Sequence, residues 1–194
     1  MRVIAGILKG RRLKAPTWEG LRPTSDKLRE TLFNILAPRM AGARVLDGYA
    51  GTGAVGIEAL SRGAAAVTFV DSDRRAEALI AENLAHCGVT SGYAIIRSHV
   101  ERALVDLRAT PRSETFDLVF LDPPYESTRG DAGGKHHLDD IVAAAADVLA
   151  PNGIVVLEHA RRWNSPESAG RARRTRLVPS GDSALSFYKL EREN

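Results

Sequence analysis

The run of residues best suited to chemistry is Asp-Pro-Pro-Tyr at positions 122–125, directly after the apolar segment FDLVFL. An Asp carboxylate and a proline carbonyl can each accept a hydrogen bond from an NH₂ group, and a proline nitrogen cannot donate. An aromatic ring beside them offers a surface on which a flat base can stack. The pattern is typical of a site that holds an exocyclic amino group for reaction. The predicted catalytic residues are Asp122, Pro123, Pro124 and Tyr125.

A second candidate site is the glycine-rich segment VLDGYAGTGAVG at positions 45–56. Its glycines have the GxGxxG spacing of dinucleotide-binding loops, and Asp71 follows Gly51 by 20 residues. In that fingerprint the first glycine follows the strand directly, whereas here residues 47–50 intervene. A longer loop that starts with a carboxylate favours S-adenosylmethionine over a nicotinamide cofactor. The carboxylate attracts the cationic methionine part, and it would repel a pyrophosphate.

Residues at the ends of four predicted strands are expected to hold this cofactor. Asp47 suits the amino and sulfonium groups, and Asp71 can accept hydrogen bonds from both ribose hydroxyls. The end of the third strand should lie beside the adenine. The predicted cofactor-binding residues are Asp47, Gly48, Tyr49, Ala50, Gly51, Gly53, Asp71, Ser72, His99, Val100 and Asp122. Asp73 is interpreted as a helix N-cap.

Apolar periodicity predicts the elements that position these residues. Strands are predicted at 43–47, 65–71, 93–97, 116–122 and 153–160. Helices are predicted from a cap at Thr24 or Ser25 to Pro38, from the glycine-rich turn to about Leu60, and at 74–86, 100–108 and 138–150. Alternating helices and apolar strands imply a parallel sheet covered on both faces. The glycine-rich loop and the Asp122 motif are therefore expected at the same carboxyl edge of this sheet.

The C-terminal part of the chain has a different pattern. Two segments, RTRLVPS and ALSFYKLE, flank a turn at Gly181 and Asp182 and predict a β-hairpin. The predicted fold class is thus α/β: a Rossmann-like, doubly wound, mostly parallel sheet with an antiparallel C-terminal edge. Residues 1–40 are expected to form a basic extension with a docking helix, and residues 41–194 the main domain. The loop at 126–135, with its three glycines, is a candidate lid.

Positive charge is concentrated towards both ends of the chain. The net charge is +3, yet residues 1–44 hold ten Lys and Arg against three acids, and residues 161–178 hold six Arg against one acid. This distribution is typical of a protein with a polyanionic partner. Solvated surfaces would give the same composition, so charge alone leaves both readings open.

Composition narrows the class of protein. At 194 residues and 44% hydrophobic, the chain suffices for one compact domain with a small appendage. No run approaches the roughly 20 apolar residues of a membrane span, and no signal peptide is recognisable, so a cytoplasmic location is expected. The single Cys87 rules out an internal disulfide, and its expected role is that of a small buried residue. No Cys and His cluster has metal-binding spacing, and we expect a monomer without a metal.

Five blocks of sequence resemble the bacterial methyltransferases that modify guanine N2 in small-subunit (16S) ribosomal RNA. They are residues 2–13, 22–36, 45–64, 116–125 and 181–190. The cofactor loop and the DPPY motif occur in several methyltransferase classes, and the first two blocks are more specific. The sequence departs from the family pattern at Ala5, where glycine is expected, and at His99, where an acidic residue is usual.

The resemblance implies a class I methyltransferase that uses S-adenosylmethionine and acts on ribosomal RNA, free or within a partly assembled small subunit. It also implies that the N-terminal extension helps to hold the RNA. The residues expected to contact RNA are Arg2, Lys9, Arg11, Arg12, Lys14, Arg22, Lys27 and Arg29. The arginines at 171–176 are a further basic stretch without an assigned role.

Three other functions fit parts of this pattern. An N6-adenine methyltransferase of DNA or RNA would use the same DPPY motif on a different amine. A protein glutamine methyltransferase is disfavoured, since such enzymes have Asn at the position of Asp122. A non-catalytic RNA-binding assembly module could retain the fold, although the intact Asp122 and Tyr125 argue against it.

Overall fold

The computed structural model describes residues 1–18, 24–109, 115–124 and 132–191, with side chains described from 138 onward in the last range. The chain divides into two compact units, Met1–His99 and Val100–Asn194. No helix within the described ranges has both the length and the apolar character needed to cross a membrane.

The first unit contains three parallel strands with helices between them. Its elements are α1 (Asp26–Leu36), a 3-10 turn (Ala37–Arg39), β1 (Arg44–Gly48), α2 (Ala54–Ser61), β2 (Ala66–Asp71), α3 (Arg74–His86) and β3 (Tyr93–Arg97). The strand order is β3-β2-β1, with Val45 opposite Val67 and Val67 opposite Tyr93. These bounds confirm the predicted alternation of strands and helices.

Capping residues set the helix starts in this unit. The Ser25 hydroxyl accepts the backbone N–H of Leu28 at 3.2 Å, and Asp73 accepts that of Arg75 at 2.8 Å. Each bond satisfies one of the backbone donors left open at a helix start. Both predicted caps are therefore confirmed. Cys87 is buried at the end of α3, and burial raises the pKa of its thiol, as expected for a structural cysteine.

The second unit combines a parallel strand pair with an antiparallel edge. Its elements are α4 (Val100–Arg108), β4 (Phe116–Leu121), α5 (Ala132–Asp147), β5 (Leu149–Ala160), β6 (Ser168–Ala169), β7 (Ala172–Ser180) and β8 (Ser183–Leu190). β4 and β5 are parallel, whereas β5, β8, β7 and β6 pair antiparallel in that order. The predicted hairpin is thus confirmed, with Gly181 in a left-handed conformation (φ 61°) at its turn.

The boundary between α5 and β5 differs from the prediction. The helix was expected to run to Ala150 and the strand to begin at Gly153, but α5 ends at Asp147 and β5 begins at Leu149. Phe116 donates its backbone N–H to the Val148 carbonyl at 3.0 Å, so pairing with β4 takes over from the helix here. β6 was not predicted. Of the predicted lid, residues 132–135 are helical and residues 126–131 lie outside the described ranges.

Candidate functional site

The glycine-rich turn joins β1 to α2 in the first unit. Ala50 accepts the N–H of Gly53 at 2.7 Å, and Gly51 and Gly53 both have positive φ, 55° and 75°. Tyr49 also has a positive φ, 60°, although it carries a side chain. Such a conformation costs about 1–3 kcal/mol in a non-glycine residue and is concentrated at functional sites. The turn is therefore a strained loop held by its surroundings.

The third glycine of the GxGxxG spacing has a packing role. A Cβ at Gly56 would lie 2.2 Å from the ring of Phe69 on β2, so only glycine allows α2 to approach the strand this closely. A Cβ at Gly53 would lie 3.3 Å from Ile80. Packing against Ile80 and the positive φ both favour glycine at position 53, and its contact with a cofactor stays a prediction.

Asp47 lies at the end of β1 with only 2% of its surface exposed. Its Oδ2 accepts the backbone N–H of Gly56 at 2.8 Å. Gly53, the N-cap residue of α2, has no side chain to cap the helix, so Asp47 supplies the acceptor from the neighbouring strand. The carboxylate is also stabilised there by the positive end of the helix dipole. Direct contact with a cofactor stays a prediction for this residue.

Asp71 lies at the end of β2 and links two loops through its carboxylate. Oδ2 accepts the N–H of Gly51 at 2.8 Å, and Oδ1 accepts that of Asp73 at 2.9 Å. Its own carbonyl accepts the N–H of Ser98 from the end of β3 at 3.0 Å. Each carboxylate oxygen can accept a second hydrogen bond, and the residue is only half-buried. Backbone donors thus orient the Asp71 carboxylate, which can still accept hydrogen bonds from hydroxyl groups.

The other predicted cofactor residues differ in exposure. Ser72 and His99 are exposed, and Val100, the first residue of α4, is buried. Gly48 and Ala50 are buried within the loop. Asp71 and its two backbone donors are therefore the best-defined part of the candidate cofactor site.

The candidate catalytic motif follows β4 in the second unit. Asp122 is half-buried, Pro123 is buried and Pro124 is exposed. Tyr125 lies outside the described residues. The motif begins directly after Leu121, the last residue of the strand, as the sequence predicted. That the motif and the glycine-rich loop share one edge stays a prediction.

The basic N-terminal segment, residues 1–14, folds back on itself. Val3 donates its N–H to the Arg11 carbonyl at 2.9 Å, and Gly10 donates to the Val3 carbonyl at 3.0 Å. Arg2 and Arg12 form an antiparallel bridge. The side chains predicted to contact RNA that are exposed in this structure are Arg2, Lys9, Arg11, Arg12, Lys14 and Lys27. The structure thus presents a cluster of cations to solvent.

Buried polar residues, Glu58 and Asn83 among them, fix the segment to the unit that carries the glycine-rich turn. Glu58 of α2 is fully buried, and its carboxylate accepts the N–H groups of Ile4 at 2.7 Å and Ala5 at 3.0 Å. Arg62 neutralises the same carboxylate, with Nε 2.7 Å from Oε1. One buried carboxylate thus binds two successive backbone N–H groups of the N-terminal segment and docks the segment on α2.

Asn83 of α3 connects this segment to the glycine-rich turn. Its Oδ1 accepts the N–H of Lys14 at 2.7 Å, and its Nδ2 donates to the carbonyl of Thr52 at 2.9 Å. Neither Asn83 nor Glu58 was predicted from the sequence as a functional residue. For Asn83 a signal was available, because it occupies the apolar stripe of α3 together with Leu79 and Ile80. A polar residue in such a stripe needs buried partners.

The structure corrects the prediction for Arg29. Its side chain is fully buried and donates from Nη2 to the Arg2 carbonyl at 2.9 Å and to Asp26 at 2.6 Å. Arg29 shares the buried face of α1 with Leu32 and Phe33, so it holds the N-terminal segment in place and is not presented to RNA. Arg22 lies outside the described residues.

Comparisons with known proteins place these features in a family. The profile of the family described as "Conserved hypothetical protein 95" matches residues 1–189. A Bacillus subtilis protein named "Putative rRNA methyltransferase YlbH" is 38% identical over 192 residues, which cover 97% of this chain and 98% of that protein. The Escherichia coli "Ribosomal RNA small subunit methyltransferase D" is 42% identical over 125 residues, 64% of this chain and 60% of that protein.

A solved structure gives the same result for the fold. The protein titled "Putative methyltransferase yhhF from Escherichia coli" matches with a TM-score of 0.79 and 33% identity, and the match covers 100% of this chain and 99% of that one. The α/β methyltransferase fold predicted from the sequence is therefore confirmed. With the family profile matching nearly the whole chain and a full-length relative well above 30% identity, the chain belongs to this family of rRNA methyltransferases.

Proposed function

We propose that the protein transfers a methyl group from S-adenosylmethionine to the N2 amino group of a guanine in 16S ribosomal RNA. The observation that carries the proposal is the position of Asp122 and Pro123 directly after β4, in a chain of an rRNA methyltransferase family. This motif suits an exocyclic amine, because the Asp122 carboxylate and the Pro123 carbonyl are both hydrogen-bond acceptors.

The first unit supplies the groups that suit the cofactor. Asp71 is held in place by two backbone N–H groups and can accept hydrogen bonds from the ribose hydroxyls. The positive φ values of Tyr49 and Gly51 support a binding role for this loop, because strained backbone is concentrated at functional sites. When bound, S-adenosylmethionine would supply an electrophilic methyl group. The neutral thioether that is left behind is a good leaving group, so the transfer needs no metal.

The second unit supplies the groups that suit the amine. The N2 lone pair of guanine is delocalised into the ring, so the free amine is a poor nucleophile. Hydrogen bonds from the NH₂ group to the Asp122 carboxylate and the Pro123 carbonyl would hold the nitrogen with its lone pair directed at the methyl carbon. As the new N–C bond forms, the S–C bond breaks and the nitrogen becomes cationic. The Asp122 carboxylate would stabilise that charge and would accept the proton that the nitrogen then loses.

The N-terminal segment supplies the grip on RNA. Its exposed cations suit phosphates, and Glu58 and Asn83 give their backbone a fixed position. RNA recognition by preorganised cations requires less ordering on binding than recognition by a flexible tail would.

The proposal is tested by incubating the purified protein with methyl-labelled S-adenosylmethionine and unmodified 16S RNA, both free and in partly assembled small subunits. The RNA is then digested, and its nucleosides are identified by mass spectrometry. The expected product is N2-methylguanosine, with about one methyl group incorporated per RNA molecule. Labelled N6-methyladenosine would show that the protein is an N6-adenine methyltransferase. The absence of labelled nucleoside from both substrates would favour the non-catalytic assembly module.

A further inference from the structure

A basic loop, residues 161–166, follows β5 in the second unit. β4 and β5 are parallel, and Leu121 is the register partner of Leu157. Asp122 follows Leu121 directly, and β5 continues a little further before the chain turns at Arg161 and Arg162. Because parallel strands end at one edge of a sheet, the basic loop lies at the same edge of this strand pair as the candidate catalytic motif.

The loop presents two cations and an aromatic ring. Arg161 and Arg162 are exposed, and the neighbouring Trp163 is half-buried. Within the ranges that the structure describes, neither arginine forms an ion pair. The adjoining hairpin turn contributes one exposed acid, Asp182, which meets the loop through its backbone carbonyl. Glu167, the residue that follows the loop, is a second exposed acid, so the two arginines are the charged residues that directly precede the ring in sequence.

Backbone hydrogen bonds hold this loop in one conformation. Arg161 donates its N–H to the Asp182 carbonyl at 2.7 Å, and Trp163 donates to the Ala160 carbonyl at 2.9 Å. At the far end of the loop, the hydroxyl of Tyr188 donates to the Pro166 carbonyl at 3.1 Å. Hydrogen bonds hold the loop at both ends, so the backbone that carries its exposed side chains has a defined conformation.

A chain of buried side chains supports the loop from beneath. The Ala160 carbonyl can only accept, so Nδ1 of His159 donates to it at 3.0 Å, and Nε2 accepts from the Ser186 hydroxyl at 2.8 Å. Ser186 in turn accepts from Ser165 at 2.6 Å, and Ser165 accepts from Arg174 at 2.6 Å. His159 also contacts Trp163 edge to face, with ring centroids 4.9 Å apart. These buried groups have no place in the proposed methyl transfer, and they position the loop.

We propose that the basic loop binds single-stranded RNA next to the target guanine, with Arg161 and Arg162 on phosphates and Trp163 stacked against a base. Proteins bind single strands by this combination, since cations follow the backbone and every base has a face for stacking. An acidic protein segment would satisfy the arginines but would not require the ring. The inference rests on the proposed function for the identity of the RNA, and it adds a binding surface distinct from the N-terminal segment.

The arginines are tested with the double variant R161A/R162A. Its matched control is R173A/R176A, which removes two exposed arginines of β7 in the same unit. Binding of a single-stranded oligouridylate and of unmodified 16S RNA is titrated at three salt concentrations. We expect R161A/R162A to lose about tenfold in affinity and to flatten the slope of log K against log salt by about one to two units. It should raise KM for RNA and leave kcat and cofactor affinity unchanged. The control should lose less than half as much in log K.

Trp163 is tested by its fluorescence in a W18F background, which removes the other tryptophan. Oligouridylate should quench the emission, and W163A should weaken binding about tenfold whereas W163F should retain most of it. Thermal melting checks that each variant is folded. An unchanged salt slope with unquenched emission would overturn the inference, and so would equal losses in the control pair, which would indicate diffuse charge. If the parent binds RNA but yields no N2-methylguanosine, the proposed function fails while the binding data still decide the role of the loop.

Discussion

The carboxylate of Asp71 accepts the backbone N–H of Gly51 at 2.8 Å, so the end of β2 holds the glycine-rich turn that follows β1. We expect Asp71→Ala to weaken S-adenosylmethionine binding by about 1.5–3 kcal/mol, the range for losing hydrogen bonds to a charged acceptor. Isothermal titration calorimetry measures this change directly.

The neighbouring Asp73 provides the control for that variant. Asp73→Ala removes the cap of α3 and should lower the free energy of unfolding by about 1 kcal/mol, with little effect on cofactor affinity. Equal cofactor affinity in the Asp71→Ala variant and the parent would remove Asp71 from the site.

Asp122 is expected to act in the chemical step. Asp122→Asn keeps the shape of the side chain but removes its charge, so most of the turnover should be lost while cofactor affinity stays within about tenfold of the parent. Single-turnover measurements with labelled cofactor test this, and Asp117→Asn, at an exposed position of β4, the strand that precedes Asp122, is the control. A near-normal kcat for Asp122→Asn would refute the proposed role.

The exposed arginines of the N-terminal segment are expected to bind RNA phosphates. Arg11→Ala with Arg12→Ala should lower RNA affinity and flatten the dependence of log K on log salt by about one to two units. Cofactor affinity should hardly change. Thermal stability should also be preserved, because exposed charges contribute little to folding. If the salt slope of the double variant equals that of the parent, the segment is a solvated surface and RNA is held elsewhere.

His159 should make the stability of the second unit depend on pH. Burial lowers the pKa of His159, the charge of Arg174 lowers it further, and the hydrogen bond to Ala160 opposes this. The unfolded state therefore binds the proton first as the pH falls. The free energy of unfolding should then decrease below the ordinary histidine pKa of about 6.5, by at most about 1.4 kcal/mol per pH unit, until the folded pKa is reached.

Urea unfolding between pH 7.5 and pH 5 measures this dependence. Protonated His159 could no longer accept from Ser186, so the supporting chain beneath the basic loop would be broken. His159→Gln keeps an acceptor for Ser186 and should remove that part of the pH dependence. His86→Gln, at an exposed position of α3, should preserve it. Identical pH profiles for the parent and His159→Gln would contradict the expectation.

The bounds of most strands and helices could be predicted from the sequence, because apolar periodicity and caps are local signals. The cap at Asp73 and the hairpin turn at Gly181 are examples. The end of α5 could not be predicted from such local signals. Pairing of Leu149 with Phe116 decides it, and that contact joins residues far apart in the chain.

The candidate site was predictable to a similar degree. The position of acids such as Asp71 at strand ends could be predicted from the alternation of strands and helices. Their exposure to solvent could not. Arg29 could not be predicted correctly, because the charge distribution does not distinguish exposed cations from buried ones. Its burial on α1 gives it a structural role. The docking role of Glu58 depends on backbone donors more than 50 residues away, which no local pattern reveals.

The long-range docking of the N-terminal segment has a consequence for synthesis of the chain. The segment leaves the ribosome before its docking partners do, because Glu58 and Asn83 lie 54 and 69 residues later than Ile4 and Lys14, respectively. At a synthesis rate of roughly 5–20 residues per second, the N-terminal segment remains undocked for several seconds after it is made. During that interval it can meet the RNA of the translating ribosome itself, and only the arrival of α3 completes its docking.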